Sequence, residues 1–115
     1  MSLVDDKWVR IMADYCADAV WDREGASDSI EELPVSPGLR AALLGWQHWY
    51  DHDCPTEDAV WLDRAVFSAV GQELAKAVKR ALPDWGVVYF NENRIQHGRV
   101  QDRLEFEYPI HLTCP

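Results

Sequence analysis

The N-terminal segment has apolar residues at steps of three and four. They are Val4, Trp8, Ile11, Met12, Tyr15, Cys16 and Ala19. In a helix this spacing gathers the side chains on one side, so the pattern predicts a first helix over residues 4–22. The other side of that helix would carry Asp6, Arg10, Asp14, Asp18 and Asp22, with Arg10 placed to pair with an acid in either direction.

Two further helices are predicted from residues typical of helix ends. Ser36 followed by Pro37 is typical of a helix start, and the second helix is predicted over residues 37–53. A third is predicted over residues 57–82, with acids in its first turn and bases in its last. Its buried stripe would comprise Leu62, Val66, Val70, Leu74, Ala77 and Val78. Between the first two helices we expect a loop that Ile30, Leu33 and Val35 fix to the core.

The C-terminal third changes to the pattern of β-strands. The β-branched and aromatic run after Trp85 predicts a strand over residues 86–91. Leu104, Phe106, Tyr108 and Ile110 alternate with polar residues and Pro109, which predicts a half-buried strand over residues 103–110. The sequence therefore predicts an α+β fold, with three helices followed by a small antiparallel sheet of two or three strands, in a single domain spanning residues 1–115.

The negative charge is concentrated in the first half of the chain. Residues 1–58 hold 13 acids against 4 bases, whereas residues 59–115 hold 7 of each, for a formal net charge of −9. Such a field attracts basic surfaces and repels nucleic acid and anionic lipid. We therefore expect a basic protein partner, and neither nucleic acid nor membrane. A nucleic-acid mimic that binds a basic protein remains open.

Cysteine usage and the N-terminus bear on the compartment. Cys16, Cys54 and Cys114 are odd in number and have no CxxC spacing, so neither a disulfide framework nor a cysteine zinc site is indicated. The acidic N-terminus does not resemble a secretory signal, and no apolar run approaches the ~20 residues of a membrane span. A cytoplasmic protein without a cofactor is predicted.

Two histidines are the candidate metal ligands. His48 and His52 lie one helical turn apart, and Asp51, Asp53 or Cys54 could add a ligand. Carboxylates of the predicted first helix (Asp14, Asp18, Asp22) would complete a zinc, manganese or iron site in a small metal-dependent enzyme. The alternative is that they are surface or interface histidines. Because no hydrolase, kinase or dehydrogenase motif is present, a non-catalytic protein is favoured over an enzyme.

Five of the six tryptophans divide into two groups. Trp8 and Trp46 fall on predicted buried stripes, whereas Trp21, Trp49 and Trp61 lie nearer polar margins and beside acids. Aromatic residues rimmed by charge are typical of interface hot spots, although partial core packing explains the same pattern. The predicted partner-binding residues are Asp14, Asp18, Trp21, Asp22, Trp49 and Asp51.

Two segments carry a resemblance to known proteins. Residues 67–75, continued by 82–90, resemble the helix-to-strand passage of small, acidic, uncharacterised bacterial proteins, and Pro37-Gly38-Leu39 and the spacing of Trp46 and Tyr50 fit the same group. Immunity proteins that neutralise bacterial toxins are similar in size, acidity and aromatic content. The resemblance implies an inhibitor that binds a protein and brings no catalytic residues. A homodimer formed through a free sheet edge is a further possibility.

Overall fold

The structure is a computed structural model that describes residues 3–14, 17–27, 30–53, 64–95 and 100–111. These ranges contain helices α1 (Leu3–Asp6), α2 (Pro37–Asp53) and α3 (Arg64–Ala81). They also contain strands β1 (Trp8–Ile11), β2 (Val20–Trp21), β3 (Gly86–Phe90) and β4 (Glu107–Pro109). The predicted α+β class is confirmed. No helix within these ranges is long and apolar enough to cross a membrane.

The four strands form one mixed sheet in the order β2-β1-β3-β4. Strand β1 is antiparallel to β2 and parallel to β3, with Trp8 beside Gly86 and Ile11 beside Tyr89. Strands β3 and β4 are antiparallel. The prediction of a purely antiparallel sheet after the helices is therefore correct only for β3 and β4, because two strands precede α2 and one of them pairs in parallel.

The predicted helix over residues 4–22 is wrong. Helix α1 ends at Asp6, and Lys7 has a φ of 48°, a left-handed conformation that cannot continue a right-handed helix. The next residues alternate instead, with Val9 and Ile11 fully buried and Trp8 and Arg10 half-buried. Strand pairing on both sides of β1 overrides the helical spacing, so the expected helical row of acids does not exist.

Helices α2 and α3 follow their predicted ends where the structure describes them. Ser36 caps α2, because its Oγ accepts a hydrogen bond from the backbone N–H of Leu39 at 3.2 Å. At the other end of α3, Lys79 donates to the backbone carbonyls of Pro83 (3.0 Å) and Trp85 (2.6 Å). The predicted start of the third helix at residue 57 lies outside the described residues.

The buried side of α3 is only partly the predicted one, and Leu62 lies outside the described residues. Val78 is buried and Leu74 packs against the core as predicted, but Val66 and Val70 are 50% and 39% exposed, and Phe67 and Ala75 are buried instead. Gly71 explains this choice, since a Cβ there would lie 2.8 Å from Cε2 of Trp46 and 2.5 Å from Oη of Tyr89. The helix therefore packs its glycine side, not its valine side, against the core.

The sheet has an inner face toward the helices and an outer face. Tyr89 on the inner face donates from Oη to the carbonyl of Ser68 in α3 at 2.7 Å, and Trp46 stacks on Phe67 with ring centroids 4.8 Å apart. Trp46 is buried as predicted, but Trp8 is half-buried on the outer face. Because strand neighbours in register share a face, Arg10, Trp21, Val88 and Pro109 lie in one row of the outer face.

The last predicted strand is shorter than expected. Residues 103–105 form a 3₁₀ turn in which the Asp102 side chain accepts from the N–H of Leu104 and the Glu105 side chain accepts from the N–H of Asp102. This local capping box overrides the alternating pattern and leaves Leu104 65% exposed. Only residues 107–109 pair as a strand, followed by the buried Ile110.

Candidate partner-binding site

Asp18 is engaged by the loops around β2. One oxygen accepts from the N–H of Val20 (3.2 Å) and from Oγ of Ser27 (2.8 Å), and the other accepts from the N–H of Ile30 (2.9 Å). These bonds connect the start of β2 to the buried Ile30. Ile30 and Leu33 are buried and Val35 packs against the core, as predicted for this loop.

Asp22 has a similar local role. Its Oδ1 accepts from the N–H groups of Glu24 and Ala26, each at 2.9 Å, and closes the turn in which Gly25 has a φ of 90°. The carboxylates of Asp18 and Asp22 therefore organise backbone around β2, and neither lies on the predicted helix.

Gln47 forms hydrogen bonds with the other two acids that were predicted to bind a partner, Asp14 and Asp51. The side chain of Gln47 is 3% exposed and accepts from the backbone N–H of Asp14 at 3.3 Å. Its amide nitrogen donates to the backbone carbonyl of Asp14 at 2.6 Å and to Oδ1 of Asp51 at 3.1 Å. The loop after β1 and the C-terminal half of α2 are thus held together by one buried amide, with Asp14 and Asp51 both exposed beside it.

The exposed side of α2 continues this region. Leu44 lies two turns before Asp51 and His48 one turn before it, so the three side chains share one side of the helix. Leu44 is 41% exposed and His48 is exposed. We call Asp14, Leu44, His48 and Asp51, together with the buried Gln47, the acidic surface.

The two predicted aromatic anchors lie elsewhere. Trp49 is half-buried and packs edge-on against Phe67 at 5.2 Å, and the two-residue step to Asp51 turns the helix by about 200°, so the two project from different sides. Trp21 lies on the outer face of the sheet, where its Nε1 donates to the carbonyl of Met12 at 2.9 Å. The structure therefore does not bring all six predicted partner-binding residues onto one surface.

The predicted metal site has no structural support in the described ranges. They contain no group of three or more His, Cys, Asp or Glu side chains arranged to hold a metal ion. The side chains of His52 and Asp53, and the whole of Cys54, lie outside the described residues. Cys16 and Cys114 also lie outside them.

The sequence analysis missed Gln47 and Leu44. A glutamine within a helix carries no signal of its own, because its role depends on a loop 33 residues earlier in the chain. Leu44 carries no such signal either, because only the fold shows that it is exposed on the side of α2 that carries Asp51. Both residues become visible once the helix has neighbours.

Comparison with known proteins adds the decisive observation. The sequence model of the Serratia CdiI immunity protein-like family matches residues 7–92. This chain belongs to that family. A search of curated proteins found no match. In this CdiI immunity protein-like chain the matched range runs from the start of β1 to just beyond β3 and includes the whole acidic surface. The resemblance to immunity proteins is thereby confirmed.

Proposed function

We propose that this protein is a non-catalytic immunity protein that binds a toxin protein and neutralises it. The match of residues 7–92 to an immunity protein-like family carries this proposal. An inhibitor of this kind needs a stable surface complementary to its target, and no cofactor. The observations that favour a particular surface come from the arrangement of charge around α2.

The proposed partner surface is basic. The first half of the chain carries an excess of nine acids, 13 against 4, and Gln47 bonds the backbone of one of them, Asp14, and the carboxylate of another, Asp51. An acidic field of this kind speeds the encounter with a basic protein and penalises wrong partners. The exposed Leu44 adds an apolar contact that slows dissociation once the complex has formed.

Gln47 contributes preorganisation to this proposal. Because the amide is buried and bonded to both backbone groups of Asp14 and to the Asp51 carboxylate, the loop and the helix are held against each other before a partner arrives. A surface that is already ordered loses less conformational entropy on binding. We therefore assign Asp14 and Asp51 as contact residues and Gln47 as a positioning residue.

Affinity capture followed by a growth assay tests the proposed function. The tagged protein is used at low salt to capture proteins from the source cell, and each captured protein is then expressed alone and together with this chain. The proposal expects one captured protein to arrest growth alone and to be harmless when co-expressed. It is overturned if no captured protein is toxic, or if co-expression leaves the toxicity unchanged.

A pair of matched variants tests the proposed surface. Asp14→Asn with Asp51→Asn is compared with Glu73→Gln with Asp84→Asn, which makes the same charge change at exposed acids on and after α3. We expect the first pair to weaken toxin binding by about tenfold at low salt and the control pair to leave it unchanged. Equal losses in both pairs would assign the effect to net charge and not to this surface.

A further inference from the structure

The outer face of the sheet carries a second candidate surface, of opposite charge. A cleft of about 500 Å³ lies there, lined by Trp8, Arg10, Arg23, Arg103, Leu104 and Glu107 among others. Three of these residues are cationic and one is anionic. The cleft therefore has a local excess of two positive charges in a chain whose formal net charge is −9.

The arginines are held in place before any ligand arrives. The guanidinium of Arg23 stacks on Trp8 at 5.1 Å, and that of Arg10 stacks on Trp21 at 5.4 Å. Arg10 donates to Oε1 of Glu107 at 3.0 Å, and Arg103 bonds the other oxygen of the same carboxylate. These contacts fix the direction of each guanidinium in the cleft.

Glu107 does not neutralise the cleft. Burial raises the pKa of Glu107, but the hydrogen bonds and charges of Arg103 and Arg10 outweigh this and hold the pKa below its ordinary value. The carboxylate is therefore ionised at neutral pH and cancels one of the three positive charges. In addition, the buried Nε–H of Arg10 has no hydrogen-bond acceptor among the described residues.

The walls of the cleft indicate what carries the anion. Trp8 and Val88 form apolar surface from the sheet, Leu104 is 65% exposed, and Pro109 closes the other side. Tryptophan and arginine together are the residue types most enriched at protein interface hot spots. A bare inorganic anion would leave this apolar surface uncovered.

We propose that the cleft binds a carboxylate side chain presented by an apolar segment of a partner protein. The two excess guanidinium charges of the cleft and their N–H donors complement the ligand carboxylate. Trp8 and Leu104 complement the apolar side chains on either side of it. This inference goes beyond the proposed function, since it requires a protein ligand but not that the ligand be a toxin. It also assigns an acidic contact to a protein whose other surface favours bases.

Peptide titration of the full chain tests the cleft directly. The probe is acetyl-Leu-Glu-Leu-amide, and acetyl-Leu-Gln-Leu-amide is its uncharged control. The indole N–H resonance of Trp8, which lines the cleft, reports on binding, while that of Trp46, buried between the helices, is the internal reference. The proposal expects a saturable shift of the Trp8 signal with the glutamate peptide, at least about tenfold weaker binding of the glutamine peptide, and no shift of Trp46.

Matched variants separate the cleft from net charge. The double variant Arg23→Gln, Arg103→Gln is expected to bind the glutamate peptide about tenfold more weakly than the wild type. The double variant Lys76→Gln, Arg80→Gln is expected to bind it as the wild type does. The control removes the same number of positive charges, two, from α3, away from the cleft. If the first pair fails to fold, Arg23→Gln alone replaces it, since Arg23 lies in an exposed turn.

Three results would overturn the proposal. One is equal affinity for the two peptides. Another is inorganic phosphate binding as tightly as the glutamate peptide, which would make the cleft a free-anion site. The third is dimerisation in sedimentation velocity that the Arg23 and Arg103 variants abolish, which would make a second copy of this chain the occupant.

Discussion

Replacing Gln47 by leucine tests the proposed positioning role most sharply. The substitution keeps the size of the side chain but removes its bonds to the backbone N–H and C=O of Asp14 and to Oδ1 of Asp51. The exposed Asp51 carboxylate recovers a bond from water, so the loss falls on the two backbone bonds. Leaving the two backbone groups without partners costs about 1–3 kcal/mol each, and burying the leucine side chain recovers about 1.5–3 kcal/mol, so Gln47→Leu should lower the free energy of unfolding by about 1–2 kcal/mol.

Urea unfolding at neutral pH, followed by tryptophan fluorescence, measures this change. Gln47→Glu is the companion variant, because it keeps an acceptor for the Asp14 N–H but places an oxygen where the donor stood, 2.6 Å from the Asp14 carbonyl. It should cost more than Gln47→Leu at neutral pH. At low pH it should cost less than Gln47→Leu, because the protonated carboxyl can again donate to the Asp14 carbonyl and accept from the Asp14 N–H. A Gln47→Leu protein within about 0.5 kcal/mol of the wild type would refute the reasoning, since that is the range of ordinary surface substitutions.

Two further predictions concern the helices and the sheet. Gly71→Ala should destabilise the protein by about 1–2 kcal/mol, because its Cβ would meet Trp46 and Tyr89. Gly45→Ala, at an exposed helical site where an added Cβ meets nothing within 4 Å, should instead stabilise it by up to about 1 kcal/mol. If both variants lowered the melting temperature in thermal unfolding, the assigned helix packing would be contradicted. The pKa of Glu107 is lower in the folded protein than its ordinary value of about 4.5 in the unfolded chain. The ionised carboxylate therefore stabilises the folded protein fully above pH 4.5, and this stabilisation is lost as the pH falls through the lower, folded-state pKa. The difference in unfolding free energy between the wild type and Glu107→Gln should therefore shrink as the pH is lowered below about 4.5, and a constant difference in a urea series would show that the ion pairs do not hold that pKa down.

Local signals explain which elements were predictable. The start of α2 depends on Ser36 and Pro37, and the end of α3 on Lys79 and the Pro83 turn, so the bounds of both follow from neighbouring residues. Strand β1 depends on pairing with β3, 78 residues later, since Trp8 lies beside Gly86. Its apolar spacing fits a helix as well as a strand, and a local pattern cannot decide between them.

The candidate partner-binding site was likewise predictable only in part. Acidity and candidate acids are properties of the sequence, and two of the candidates, Asp14 through its backbone and Asp51 through its carboxylate, bond to the same buried amide. Their meeting depends on Gln47 and on the path of the loop after β1, which no spacing rule contains. Asp18 and Asp22 resembled a solvated helix row, but once the segment forms a strand and loops their carboxylates bond to nearby backbone N–H groups.

The cleft on the outer face was beyond sequence reasoning for a related reason. Its arginines come from β1, from the turn after β2 and from the 3₁₀ turn before β4, and they converge only because the mixed sheet places β1 and β4 on either side of β3. Arg103 and Glu107 also lie beyond residue 92, where the family match ends. A substitution of Arg103 or Glu107 is therefore expected to alter the cleft without altering the acidic surface.

In the proposed function, an acidic surface built on Gln47 binds a basic toxin. The most direct test is the Kd of the captured toxin for the wild type and for the Asp14→Asn, Asp51→Asn double variant, from about 0.05 M to about 0.5 M NaCl. Wild-type binding should weaken steeply as the salt concentration rises. The double variant should bind about tenfold more weakly than the wild type at low salt, and its affinity should depend less on salt. Wild-type affinity that does not change with salt, or a double variant that matches the wild type throughout, would contradict the proposal.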